Sequence, residues 1–144
     1  MAGMMALYAD YGTAEWEDLI DPAIDLADGS IVSDILAEQL QSFQDNLPVE
    51  QLEHFYPVGA PIEAGTNLEQ LELAETLWEI RESEGTSFYN GSISESLADI
   101  EGLPLESLLN FTVGRHEPVT GEFAGYEVIG ASLPLPGVSV IQLL

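Results

Sequence analysis

Residues 16 to 29 read WEDLIDPAIDLADG, and this stretch decides the fold class. Its apolar residues recur three or four positions apart, which is the spacing of one helix face: Trp16, Leu19, Ile20, Ala23, Ile24 and Ala27. Acidic residues fill the opposite face. Pro22 interrupts the pattern, and we expect it to begin a second helical segment with Asp21 as N-cap. Gly29 is expected to end that segment.

Helical patterns continue toward the C-terminus. Ser33 predicts the start of another helix, whose inward side would carry Ile35, Leu36, Leu40 and Phe43. Thr66 and Glu69 form a Thr-x-x-Glu capping box, which predicts a helix from there to about Gly85. Two shorter helices are expected around residues 93–100 and 105–111.

The last part of the chain has the pattern of strands. Its apolar residues surround turn signals at Thr120-Gly121 and Ala124-Gly125, which predicts a β-hairpin or two strands. We therefore predict a mainly α (α+β) fold with a bundle-like helical region and a short C-terminal β-hairpin. The expected division is an acidic helical region, 1–113, and a short β-rich tail, 114–144, that ends in an apolar segment.

The charge of the chain excludes several functions. Its 144 residues include 26 acidic residues and two basic ones, Arg81 and Arg115, for a net charge of -24. Nucleic-acid binding is excluded because phosphate contacts need lysines and arginines. The apolar fraction of 46% opposes a disordered acidic tail. An acidic surface fits a salt-tolerant source, and the alternative is a lysine-poor but otherwise ordinary bacterial protein.

No membrane or export segment is expected in these residues. No apolar run approaches the roughly 20 residues of a membrane span. The first residues lack the cationic region of a signal peptide. The chain has no cysteine, so a thiol nucleophile and a disulfide framework are also excluded.

Groups that could carry chemistry are few. His54 and His116 are the only histidines, and the Gly-x-Ser-x-Gly elbow of serine hydrolases is missing. Neither a calcium-binding loop nor a His-x-x-x-His pair occurs, and the acidic residues follow helix faces. Asn90 and Asn110 begin glycosylation sequons, a pattern common by chance. We predict no catalytic, metal-binding or cofactor-binding residue and no cofactor.

Three stretches, in order, match one protein family. The first has Tyr11-Gly12, Trp16 and the run LIDPAIDLA at 19–27; the second has LAETL at 73–77 and FYNG at 88–91; the third has EPV at 117–119 and Gly125-Tyr126. With these motifs the chain resembles the central part of the large subunit of gamma-glutamyltransferases (gamma-glutamyltranspeptidases). That family belongs to the N-terminal nucleophile hydrolases. Residues 133–137, LPLPG, depart from its pattern, which has a serine pair there.

The resemblance implies that the chain is a fragment of a larger αββα enzyme. Such enzymes cleave themselves into two subunits and use a threonine whose own amine can act as base. They transfer or hydrolyse gamma-glutamyl groups of glutathione-type substrates. The resemblance places that threonine beyond Leu144 and the substrate-binding arginine before Met1. Arg81 and Arg115 do not match that arginine, so no site residue is carried over.

Two functions follow as expectations. In the first, the chain is a non-catalytic section that is inactive alone and packs against the small subunit. In the second, it is an independent acidic interaction module that self-associates through its apolar C-terminus. Members of the family are often periplasmic or secreted, and the residues themselves leave the location unknown.

Overall fold

The computed structural model describes all 144 residues, which form two compact units, unit 1 (Met1–Phe111) and unit 2 (Thr112–Leu144). Unit 1 contains α1 (Ala2–Tyr11), α2 (Trp16–Asp28), β1 (Ser30–Ile31), α3 (Asp34–Phe43), β2 (Asn67–Leu68), α4 (Leu71–Glu82), α5 (Ser92–Ala98) and α6 (Leu105–Leu109). Unit 2 contains β3 (Val119–Phe123), β4 (Tyr126–Gly130) and α7 (Gly137–Leu143). The predicted mainly α (α+β) class is confirmed.

Helices α2 and α4 run antiparallel at the centre of unit 1. At one end the indole N–H of Trp16 donates to the carbonyl of Ile80 at 3.3 Å. At the other end the amide of Gln70 donates to the carbonyl of Ala27 at 2.8 Å. The core between the helices is made of Ile20, Ile24, Ala27, Ala74 and Leu77. Small alanines on both sides let the two helices approach closely.

Pro22 lies inside α2 and does not begin a new segment. The N-cap is Glu15, so the expectation that Asp21 caps a second helix is wrong. Pro22 has no N–H to donate to the carbonyl of Asp18, which costs one helical hydrogen bond. Asp18 is exposed, so water can satisfy its carbonyl. Packing of the apolar face on α4 keeps the helix continuous, and Gly29 ends it as predicted.

A short two-stranded sheet of β1 and β2 occupies the region where α4 was predicted to begin. Ser30 pairs with Leu68 and Ile31 with Asn67, antiparallel. Since residues 67 and 68 are extended, α4 begins only at Leu71, and the prediction of a capping box at Thr66 is wrong. Leu68 is buried in a second apolar cluster instead of lying on the helix, together with Val32 and Ile62.

Helix α3 closes the second cluster from one side. Ser33 is its N-cap, as predicted, and its Oγ accepts from the amide of Leu36 at 3.2 Å. Leu36 and Leu40 pack inward. Ile35 and Phe43 were expected to do so too, but they are 73% and 53% exposed. The helix buries only a narrow stripe, because nothing in unit 1 covers its other apolar side.

Unit 2 is a hairpin with a helix packed on it. The turn falls at Ala124-Gly125, where φ is 51° and 83°, as in a two-residue type I′ turn. The other expected turn is wrong, because Thr120 and Gly121 lie inside β3. A Cβ on Gly121 would collide with Ile141 of α7, so this glycine serves close packing. The apolar end forms α7 and contacts both strands.

Candidate functional site

The two histidines, His54 and His116, are both exposed in this structure. No group of three or more His, Cys, Asp or Glu side chains is arranged to hold a metal ion. None of the helices is long and apolar enough to cross a bilayer.

Arg81 forms the main electrostatic contact of unit 1. Its Nε donates to Oδ1 of Asp21 and its Nη1 to Oε1 of Glu82, each at 2.6 Å. The guanidinium also lies over the ring of Trp78, 4.9 Å from the ring centroid. The hydrogen bond to Asp21 raises the pKa of Arg81, and Glu82 adds to this effect. Two of the guanidinium nitrogens, Nε and Nη1, are therefore hydrogen-bonded to carboxylates of unit 1.

The acidic residues of α2 and α4 form two helix stripes. Their spacing of three or four residues places each set on one face: Asp18, Asp21, Asp25 and Asp28 on α2, and Glu72, Glu75, Glu79 and Glu82 on α4. Most of these side chains are exposed. The stripes are solvated faces that give the surface its charge.

The two sequons differ in their surroundings. Asn90 and Asn110 are both exposed. The hydroxyl of Ser92, third residue of the first sequon, donates to the carboxylate of Glu79. Exposure alone does not make either asparagine a modification site.

Glycines of the matched motifs have packing roles. Gly12 ends α1, and its amide donates to the carbonyl of Tyr8 at 2.7 Å. A Cβ on Gly91 would lie 2.9 Å from the Cα of Ser87, a backbone atom that cannot move alone. The Gly91 amide also donates to Oγ of Ser94, which closes the first turn of α5. These two motif glycines therefore serve helix ending and close packing.

An apolar groove lies between α1 and α2. It has a volume of about 620 Å³ and is lined by Met1, Met4, Leu7, Tyr8, Tyr11, Gly12, Thr13, Ala14, Trp16, Leu19 and Ile20. None of these residues is acidic. Trp16 is buried at its base, and its ring packs edge-on against Tyr8 at 5.2 Å between centroids. Met4, Leu7, Tyr11 and Leu19 are more than half exposed.

Helix α1 was not predicted from the sequence, and neither was this groove. The signal was present, because Met4, Leu7, Tyr8 and Tyr11 follow helical spacing. The groove cannot be read from one helix alone, because it depends on how α1 lies against α2.

Comparison with known proteins connects the fold to a family. The gamma-glutamyltranspeptidase family model matches residues 1–144. The capsule biosynthesis protein CapD proenzyme of Bacillus anthracis is 34% identical over 145 residues, covering 100% of this chain and 28% of that protein. The glutathione hydrolase proenzyme of Escherichia coli K12 is 31% identical, covering 100% of this chain and 27% of that protein.

Solved structures agree with these sequence matches. The crystal structure of the Bacillus anthracis transpeptidase CapD superposes with a TM-score of 0.90 at 34% identity, over 99% of this chain and 51% of that one. Helicobacter pylori gamma-glutamyltranspeptidase gives 0.88 at 31% identity, over 99% of this chain and 44% of that one. The chain thus spans only part of each relative. Its full-length family match and these shared folds show that the chain belongs to the gamma-glutamyltranspeptidase family.

Proposed function

We propose that this chain is a non-catalytic section of a gamma-glutamyltranspeptidase-type enzyme. The whole enzyme would transfer or hydrolyse gamma-glutamyl groups of glutathione-type substrates. The nucleophilic threonine and the substrate-binding arginine would lie in parts of the parent protein outside these 144 residues. The chain alone would be inactive and would pack against the remainder of the enzyme, including its small subunit.

The observation that carries the proposal is partial coverage. The chain matches the family along its whole length, yet it spans only 28% of one proenzyme relative and 27% of another. Its own polar groups support the same view. His54 and His116 stand in solvent, and Arg81 is occupied by two carboxylates. We therefore expect these 144 residues to contribute no assembled nucleophile and base.

The division of labour within the section is also proposed. The acidic helical region, 1–113, would present its two carboxylate stripes to solvent. The β-rich tail, 114–144, would contact the remainder of the enzyme, because it carries no charged residue after Glu127. Depletion of charge is typical of the buried centre of protein interfaces.

Two measurements test the proposal. Incubation of the isolated chain with a gamma-glutamyl anilide should release no more aniline than a heat-denatured sample. Sequencing of the source gene around this segment should show a reading frame that continues to a threonine at an autocleavage site. Robust turnover by the isolated chain, or a natural stop codon directly after Leu144, would refute the proposal.

One observation favours a second function, that of an independent acidic interaction module. In unit 2, Leu133 and Leu143 are 74% and 86% exposed. An independent acidic module could self-associate through such a surface. Sedimentation across a range of concentrations separates the two functions. A dimer that dissociates in the Leu143→Gln variant favours the module. A monomer at every concentration argues against it.

A further inference from the structure

Helix α2 has more apolar surface than unit 1 covers. At about 100° per residue, its apolar residues extend over about 160° of its circumference. Helix α4 covers the side of Ile24 and Ala27. Leu19 and Leu26, on the remaining side, are 52% and 63% exposed. Apolar surface on this scale is typical of a helix with neighbours on more than one side.

Helix α1 shows the same excess. It contains no buried residue, although Asp10 is its only charged one. Its contacts include three near the groove: the amide of Ala2 donates to the Tyr89 hydroxyl at 3.0 Å, the hydroxyl of Tyr8 donates to the Ala14 carbonyl at 2.9 Å, and Tyr8 packs on Trp16. Met4, Leu7 and Tyr11 line the groove and are each more than half exposed.

We propose that the groove between α1 and α2 receives an uncharged apolar helix from the remainder of the parent enzyme. This inference rests on the proposed function and names the surface through which it acts. Helix α1 has ten residues, about 15 Å. A facing helix of about three turns would cover the groove along that length.

The charges of the chain select this occupant over two others. A basic helix would find no carboxylate among the groove residues, although the chain has 26 elsewhere. A second copy would bring another charge of -24, and two such bodies repel each other. An uncharged apolar helix avoids both problems and gains by burying apolar surface on both sides. The relatives are long enough to supply it, since this chain covers 51% of the solved CapD chain.

The test uses the isolated chain and a synthetic peptide as probe. The peptide has 12 residues, a Leu/Ala face and a Ser/Gln back, and carries no charge. Isothermal titration calorimetry should detect binding with a negative heat-capacity change, the mark of apolar burial. The double variant Leu7→Gln/Leu19→Gln should bind at least tenfold more weakly.

A matched control keeps the result specific. Ile31 and Ile35 are 68% and 73% exposed and lie outside the groove. Ile31→Gln/Ile35→Gln should therefore leave peptide affinity within a factor of two. All four substituted side chains are more than half exposed, so circular dichroism should show both variants folded.

Three outcomes would overturn the groove proposal. The first is equal loss of affinity in both double variants. The second is preference for a lysine-flanked peptide whose binding disappears in 1 M KCl. The third is a dimer of the chain that only the Leu7→Gln/Leu19→Gln variant disrupts. None of these touches the anilide assay or the gene sequence, so failure here is distinguishable from failure of the proposed function.

Discussion

Arg81 on α4 and Asp21 on α2 form an ion pair of 2.6 Å that joins the two central helices. Each helix carries its own stripe of carboxylates. Arg81 lies where the stripes approach, and it also pairs with Glu82. One arginine thus offsets repulsion between two acidic helices.

Replacing Arg81 should loosen the α2–α4 pair. Arg81→Met leaves Asp21 and Glu82 without their cation and removes the charge above Trp78, so the melting temperature should fall. The melting temperature of Arg81→Lys should fall less, because lysine keeps the charge although it lacks the planar guanidinium. In a double-mutant cycle followed by circular dichroism, the losses of stability caused by Arg81→Met and Asp21→Asn should be less than additive. Full additivity would show that the pair is not coupled.

The same variant gives a pH prediction. The pKa of Arg81 is raised in the folded state. A raised pKa means that the contribution is fully present below the unfolded pKa and is lost only in strong base. The difference in melting temperature between the wild type and Arg81→Met should therefore stay constant from neutral to mildly alkaline pH. A difference that shrinks steadily over that range would contradict this.

Ile24 should be a major core residue of unit 1. It is 5% exposed and packs against Ala27 and Ala74. Ile24→Ala should lower the free energy of unfolding by about 2–4 kcal/mol, through lost burial and the cavity left behind. Leu26→Ala, on the same helix but 63% exposed, is the matched control and should cost less than about 1 kcal/mol. Urea unfolding measures both; equal losses would place Ile24 outside the core.

Gly91 should resist any side chain. Its φ is 172°, extended backbone that any residue adopts, so the cost comes from contact alone. In Gly91→Ala the new Cβ meets the Cα of Ser87, and we expect a loss of about 1–3 kcal/mol. Gly3→Ala in α1 meets nothing within 4 Å and should gain about 0.5–1 kcal/mol from helix propensity. Unchanged stability in Gly91→Ala would disprove the packing role of this motif glycine.

Salt should stabilise the chain. With a net charge of -24, unfolding relieves self-repulsion, and added salt weakens that repulsion in the folded state. The Debye length falls from about 10 Å at 0.1 M to about 3 Å at 1 M. The melting temperature should rise between these two concentrations of KCl. The rise should be smaller in a variant that carries Asp18→Asn, Asp25→Asn and Glu75→Gln. Equal slopes in both proteins would show that the two stripes are not the source.

Local signals predicted the parts of the fold that local forces determine. Ser33 caps α3 through its own side chain, and Ala124-Gly125 makes its turn through its own φ angles. The capping box predicted at Thr66 was wrong because a strand distant in sequence, Ser30–Ile31, pairs with the residues that follow Thr66. The turn predicted at Thr120-Gly121 was wrong; Gly121 instead lies under Ile141, twenty positions later in the sequence.

The candidate site was predictable to a different degree. The sequence suggested no catalytic constellation and supplied the family resemblance that the comparisons confirm. It could not give the groove, because the groove is formed by side chains from two helices and not by one motif. Pro22 shows the reverse case, in which packing on α4 overrides a local signal.

Tyr89 has a consequence for protein engineering. Its hydroxyl accepts from the amide of Ala2, and its ring stacks on Phe111 with centroids 5.4 Å apart. Ala2 and Phe111, at the two ends of unit 1, therefore both contact the side chain of Tyr89. Segments with adjacent termini tolerate insertion into a host loop and circular permutation. Unit 1 should accordingly be transferable between proteins as a cassette joined through short linkers, with no need to span its width.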